Sequence, residues 1–198
     1  LHKAIRRQRQ MCIRDSAKTD LFAELDETVF TFRERALRDG IEVKYSIPEV
    51  PAIANADANR LKQVFMNILD NALKYSRSPS KIFVKAEFTK LDNQNFVKIA
   101  IADQGCGISK EDLPHVKEKF YKANVSVRGS GIGLAVTNEI VNLHHGKLEI
   151  DSQEGKGTLV TIYLPVENSP TKNELNDMKQ NETVQDAEIN EGVEINKN

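Results

Sequence analysis

Asp57-Ala58-Asn59-Arg60-Leu61-Lys62-Gln63-Val64-Phe65-Met66-Asn67-Ile68-Leu69-Asp70-Asn71-Ala72-Leu73-Lys74-Tyr75-Ser76 is the stretch that orders the rest of this chain. Leu61, Val64, Phe65, Ile68, Leu69, Ala72 and Leu73 recur at helical spacing and predict a helix buried along one side. Asp57 stands where an N-cap is needed. At about 100° per residue, Asn67, Asn71 and Lys74 fall within about 60° of each other, beside the apolar stripe rather than opposite it. Two amides and an ammonium therefore line one edge of a core-facing helix. An asparagine carbonyl is a hard oxygen ligand suited to Mg²⁺, and a lysine meets phosphate as a point charge. Taken alone, a solvated helix flank explains the same three residues equally well.

Outward from this helix the chain alternates. Asp20 can cap a helix to about Arg38, closed by Gly40, and Ile41–Ile47 alternates as a strand. Downstream, strands are predicted over 81–89 and 96–102, joined as a hairpin across Asp92-Asn93-Gln94-Asn95. Ser109, with Asp112 three residues on, predicts a capped short helix near 110–121. A third long helix reads over 131–143, stopped at Gly146, and a second hairpin joins 147–152 to 158–164. The sum is an α+β fold: a two-layer sandwich of a mixed, mostly antiparallel sheet of about five strands under three main helices.

Two further clusters sit on this scaffold. Asp103-Gln104-Gly105-Cys106-Gly107-Ile108 follows an apolar strand, so a carboxylate and two glycines can turn sharply into a cleft. Such a carboxylate can accept from an exocyclic amine such as adenine N6, although an ordinary Asp-Gly turn has the same spelling. Gly129-Ser130-Gly131-Ile132-Gly133 opens the third helix, where close backbone approach and a free helix N-terminus favour phosphate. Neither a G-x-G-x-x-G after a first strand nor a P-loop pattern occurs.

Composition bounds the rest. The chain of 198 residues is 39% hydrophobic with net charge −1, so no strongly basic nucleic-acid surface is expected. No run of eighteen apolar residues exists, and no membrane contact by this segment is expected. Cys12 and Cys106 form neither a metal pattern nor a disulfide framework, which fits a reducing, cytoplasmic location. Charge divides the chain. Residues 1–20 are basic, 21–166 balanced, and 167–198 carry eight acids against three bases. That last stretch has no periodic apolar face, so 167–198 reads as a disordered acidic tail. Met11-Cys12-Ile13-Arg14-Asp15 back-translates to a sequencing-adapter end, so 1–19 reads as a linker or non-native leader. The domain itself is placed at 20–166.

The order N-x-x-x-N, D-x-G-x-G, Phe120-Tyr121 and G-x-G-x-G resembles the superfamily of gyrase, heat-shock chaperones, histidine kinases and mismatch-repair ATPases. Within it, 61–76, 118–123, 129–136 and 155–158 resemble the boxes of the ATP-binding catalytic domain of bacterial sensor histidine kinases. The resemblance implies the Bergerat-type fold, ATP and Mg²⁺. It also implies roles. Asn71 would hold Mg²⁺, and Asn67 would act through metal-bound water or on the transferring phosphate. Lys74 and Lys122 would meet phosphates. Asp103 would read adenine N6 with Thr158, Gly105 and Gly107 would shape that wall, and Tyr75 and Ile108 would flank the base. Gly129, Gly131 and Gly133 would hinge a lid, with Phe120 and Leu134 also at the nucleotide.

The resemblance further implies a histidine-containing dimerisation domain and a response-regulator receiver domain as partners, in a parent that is in some cases anchored in the cell membrane. No His-Glu-x-x-x-Pro-type motif occurs, and His115, His144 and His145 read as packing or surface residues. The acceptor histidine is therefore expected on a separate or missing segment. Only ten residues separate Phe120 from Gly131, which predicts a small lid. A single-domain serine kinase regulating a sigma factor, or a non-catalytic nucleotide-binding module, would share the fold.

Overall fold

The computed structural model describes residues 16–123, 130–168, 170–171 and 189–192. Ten elements follow in order: β1 (Ala17–Asp20), α1 (Leu21–Arg38), β2 (Ile41–Ser46), β3 (Ile53–Ala56), α2 (Ala58–Tyr75), β4 (Ser80–Leu91), β5 (Gln94–Asp103), α3 (Gly133–Leu143), β6 (Lys147–Gln153) and β7 (Gly157–Pro165). Five strands form one sheet in the order β2-β4-β5-β7-β6, antiparallel except for the parallel pair β2–β4. The expected mixed, mostly antiparallel sheet is the one observed.

The apolar stripes decide the layering. Leu25, Val29 and Phe32 of α1, with Leu61, Phe65, Ile68 and Leu69 of α2, meet Ile82, Val84, Ile99, Ile101 and Ile162 from the strands in one core. Asp57 caps α2 by accepting from the Arg60 N–H at 3.1 Å. Asp20 caps α1 through Phe22, and the same oxygen accepts from the Ala52 N–H at 3.0 Å. Asp92 and Asn93 both have positive φ, 48° and 64°, so the β4–β5 hairpin closes on two residues, tighter than the four-residue link expected.

Three expectations are corrected. No helix forms over 110–121, which is a run of turns. Ser109 and Asp112 do bond each other at 2.8 Å, but Pro114 has no N–H to continue a helix from that start. A small second sheet, β1 paired antiparallel to β3, was not anticipated, because strands of four residues carry too little alternation to read. Finally, the domain does not stop at 166. Glu167 donates its N–H to Ile53, and the Asn168 amide bonds both Ile53 and Pro51, at 2.9 and 2.7 Å. Residues 189–192 form a helical turn whose Ile189 is fully buried against the sheet. The four apolar residues left on that face, Phe83, Ala100, Ala102 and Leu159, provide a site for it.

Candidate nucleotide site

Between α2, the turns after β5 and the start of α3 lies a cleft of about 350 Å³. It brings together Asn67, Asn71, Lys74 and Tyr75 from α2, Asp103 at the end of β5 with Gly107 and Ile108 after it, Lys122 and Gly131 before α3, Gly133 and Leu134 at its start, and Thr158 from β7. The resemblance had named each of these. Two others fall outside the lining. Gly105 lies behind the wall, where a Cβ would come within 2.5 Å of the Tyr75 carbonyl oxygen. Phe120 is 73% exposed and does not line the cleft. Gly129 lies outside the described residues. Cys106, Val116 and Tyr121 line the cleft without having been assigned a role there, since an apolar wall has no motif of its own.

The wall is held from two sides. Cys106 N–H donates to the Tyr75 carbonyl at 3.2 Å, fastening the glycine turn to the end of α2. Ile108 N–H donates to Ser152 Oγ at 2.9 Å, and Gly155 N–H to the Cys106 carbonyl at 2.7 Å, fastening it to the β6–β7 hairpin. Gly107 has φ +67°, and a Cβ there would stand 2.0 Å from the Gln153 carbonyl oxygen. Only glycine combines that conformation with that approach.

Asp103 is 6% exposed at the end of β5, opposite Thr158 in the β5–β7 ladder. Burial pushes its carboxyl up to about 6, against hydrogen bonds from the backbone of Gly105 and Thr158. Gly105 N–H donates to its Oδ1 at 2.8 Å. Such a carboxylate is a strong acceptor kept out of water at the back of the cleft.

At the opposite end, Asn67 Nδ2 lies 3.4 Å from Thr137 Oγ1 and 3.5 Å from the Gly133 carbonyl of α3. With its amide nitrogen so engaged, the carbonyl end of Asn67 is the part left for a ligand. Lys74 Nζ lies over the Tyr75 ring at 4.8 Å and donates to its hydroxyl at 3.3 Å, so it lines the cleft with no carboxylate partner among the described residues. The first turn of α3 has neither a side-chain cap nor an acidic residue, and a Cβ on Gly133 would meet nothing within 4 Å. Helix-start N–H groups with no side-chain cap and no acid in the first turn are suited to accept phosphate. Among the described residues, no three His, Cys, Asp or Glu side chains are grouped to hold a metal ion by themselves. Asn67 and Asn71 remain as neutral oxygen donors, which suit Mg²⁺ shared with phosphate oxygens and water.

Residues 56–168 match the model of the histidine kinase-, DNA gyrase B- and HSP90-like ATPase family. The chain belongs to that family. This ATPase domain is 34% identical over 151 residues to the non-motile and phage-resistance protein of Caulobacter vibrioides, covering 74% of this chain and 18% of that protein. It is 39% identical over 120 residues to sporulation kinase E of Bacillus subtilis, covering 61% of this chain and 15% of that one. The domain thus spans under a fifth of the length of either relative. Among solved structures, a mycobacterial sensor histidine kinase, MprB, superposes with a TM-score of 0.63 at 28% identity, covering 78% of this chain and 99% of that one. Among the described residues, no helix is long and apolar enough to cross a membrane.

Proposed function

We propose that this domain binds Mg-ATP in the cleft and transfers the γ-phosphoryl group to a histidine on a dimerisation segment, for relay to an aspartate of a response-regulator receiver domain. One observation carries the reading. A single cleft joins a buried carboxylate at one end to two asparagines, a lysine and an uncapped helix N-terminus at the other. The Asp103 carboxylate accepts from adenine N6 beside Thr158, and Tyr75 and Ile108 enclose the base. Asn71 would hold Mg²⁺, which when bound would supply neutralising charge at the phosphates, and the Asn67 carbonyl would act through that ion's water or on the γ-phosphoryl group. Lys74 and Lys122 swing onto phosphate oxygens, and Gly131 lets the chain before α3 close over them. The histidine nitrogen forms its bond to phosphorus as the bond to the β–γ bridging oxygen breaks, leaving ADP. The domain supplies alignment and charge neutralisation, which is most of what phosphoryl transfer requires.

The likeness to the sensor histidine kinase MprB supports the histidine as acceptor. The test is transfer in trans. Given a separate dimeric acceptor-helix segment, the chain should form an acid-labile, base-stable phosphate on it. Asn71→Ala should abolish the labelling. Serine labelling of a small regulatory protein instead would transfer the reading to a sigma-factor kinase. Binding without transfer to any acceptor would reduce it to a nucleotide-binding module.

A further inference from the structure

Among the described residues, α1, α2 and α3 pack on one face of the sheet. On the other, Phe83 of β4, Ala102 of β5 and Leu159 of β7 stand opposite one another in a cross-strand row, with Ala100 beside them. All four are at most 3% exposed, because Ile189 lies on them fully buried. Its helical turn ends at Gly192, where a Cβ would come within 2.5 Å of the Phe83 ring. The turn therefore lies flat on the ring, and its position is set at two points three residues apart. Around the apolar row the same face carries Lys85 and Lys98, both ion-paired to Glu87 at 3.1 and 2.7 Å, so the row is bordered by charge that is already paired.

The row has a specific place relative to the cleft. Asp103 and Thr158 form the next pair along the β5–β7 ladder after Ala102 and Leu159. Adjacent residues of a strand point to opposite faces. The turn thus rests on the back of the same strand ends whose fronts present Asp103 and Thr158 to the cleft.

We propose that Ile189–Gly192 is an intramolecular strap, anchored by Ile189 on the open sheet face, whose docking steadies the adenine end of the cleft. Strap docking and ATP binding then strengthen one another. Both act on the ends of β5 and β7, one from each side, and by linkage the coupling is reciprocal. The coupling rests on the reading of the cleft as an ATP site, whereas the docking does not.

The test uses the full chain, hydrogen exchange and calorimetry. Ile189→Ser removes the anchor, and Gly192→Val places a side chain where the Phe83 ring lies. Both lie outside the helix-packed core, so folding should survive. Each should speed amide exchange at 100–102 and 159–161 at least tenfold and weaken Mg-ATP binding three- to tenfold, while Glu34→Ala, at an exposed position of α1, changes neither. Saturating Mg-ATP should in turn slow exchange at 189–192. Unchanged exchange in both variants would overturn the strap. Faster exchange with unaltered ATP affinity would overturn its coupling to the site. A wild-type chain that binds no ATP would overturn the nucleotide reading and the coupling together, and the exchange data would still decide the docking.

Discussion

Asp103 is the residue at which fold and chemistry are in conflict. Its carboxyl titrates near 3.8 when unfolded and near 6 in the fold, because burial disfavours the charge. A folded-state value raised above the unfolded one means that the folded protein binds the extra proton between these values. The stabilising effect is complete below about 3.8 and lost as pH rises through about 6. At neutral pH the ionised form therefore costs roughly 3 kcal/mol of stability, the free-energy equivalent of the shift. An amine donor on a ligand offsets that cost, and a protonated carboxyl is the poorer partner for it. ATP affinity measured by calorimetry should accordingly fall as pH drops below about 6, approaching tenfold per unit. A flat profile from pH 5 to 8 would remove Asp103 from base recognition. Asp103→Asn separates the two effects. It keeps an acceptor for the Gly105 N–H and removes the buried charge. The unliganded protein should melt higher at pH 7, while ATP binding weakens by about 1–3 kcal/mol.

Among the elements, the glycine turn after β5 depends on its neighbours more than on its own sequence. It is fastened to α2 through Tyr75 and to the β6–β7 hairpin through Ser152 and Gly155. Gly107→Ala pushes against the Gln153 carbonyl in a conformation that alanine resists. Its cost should exceed 1 kcal/mol in denaturant titration, and ATP affinity should fall with it, since Ile108 moves away from the base. Asp57→Ala tests the opposite case. It removes the α2 cap at the end remote from the phosphates and should cost about 1 kcal/mol of stability. Nucleotide affinity should change less than twofold. A larger loss would mean that the start of α2 communicates with Asn67 and Asn71.

For the whole molecule, the closure of the chain on itself is the feature to test. Asn168 clips β3 from 115 residues away, through hydrogen bonds to Ile53 and Pro51. His144 does the same for α2, accepting from the Asp57 N–H at 3.1 Å while its other ring nitrogen bonds the Ile140 carbonyl. Asn168→Ala should cost on the order of 1–2 kcal/mol. In a domain of this size that lowers the melting temperature by about 2–8 °C. Truncation after Val166 also removes Ile189 and should lower it further. Equal melting temperatures for the truncated and full chains would mean that neither contact stabilises the fold.

Local pattern determined much of this protein before any contact was known. The stripe from Leu61 to Leu73 specifies α2 and the face it buries, because helical periodicity is written in seven residues of one segment. Asn67, Asn71 and Lys74 follow from that face, and the glycines from the backbone conformations that they permit. Tertiary structure alone decided the rest. Cys106 and Tyr121 enter the cleft through the folding of turns over 104–123, for which no period exists. Pro114 stops the helix that Ser109 and Asp112 begin. Asp103 becomes a carboxyl with a raised pKa only when strands far apart in sequence exclude water from it. The four-residue partners β1 and β3, Asn168 and the buried Ile189 depend on where a distant surface lies. An isolated apolar residue in an acidic stretch has no signature until the sheet's second face is assembled to receive it.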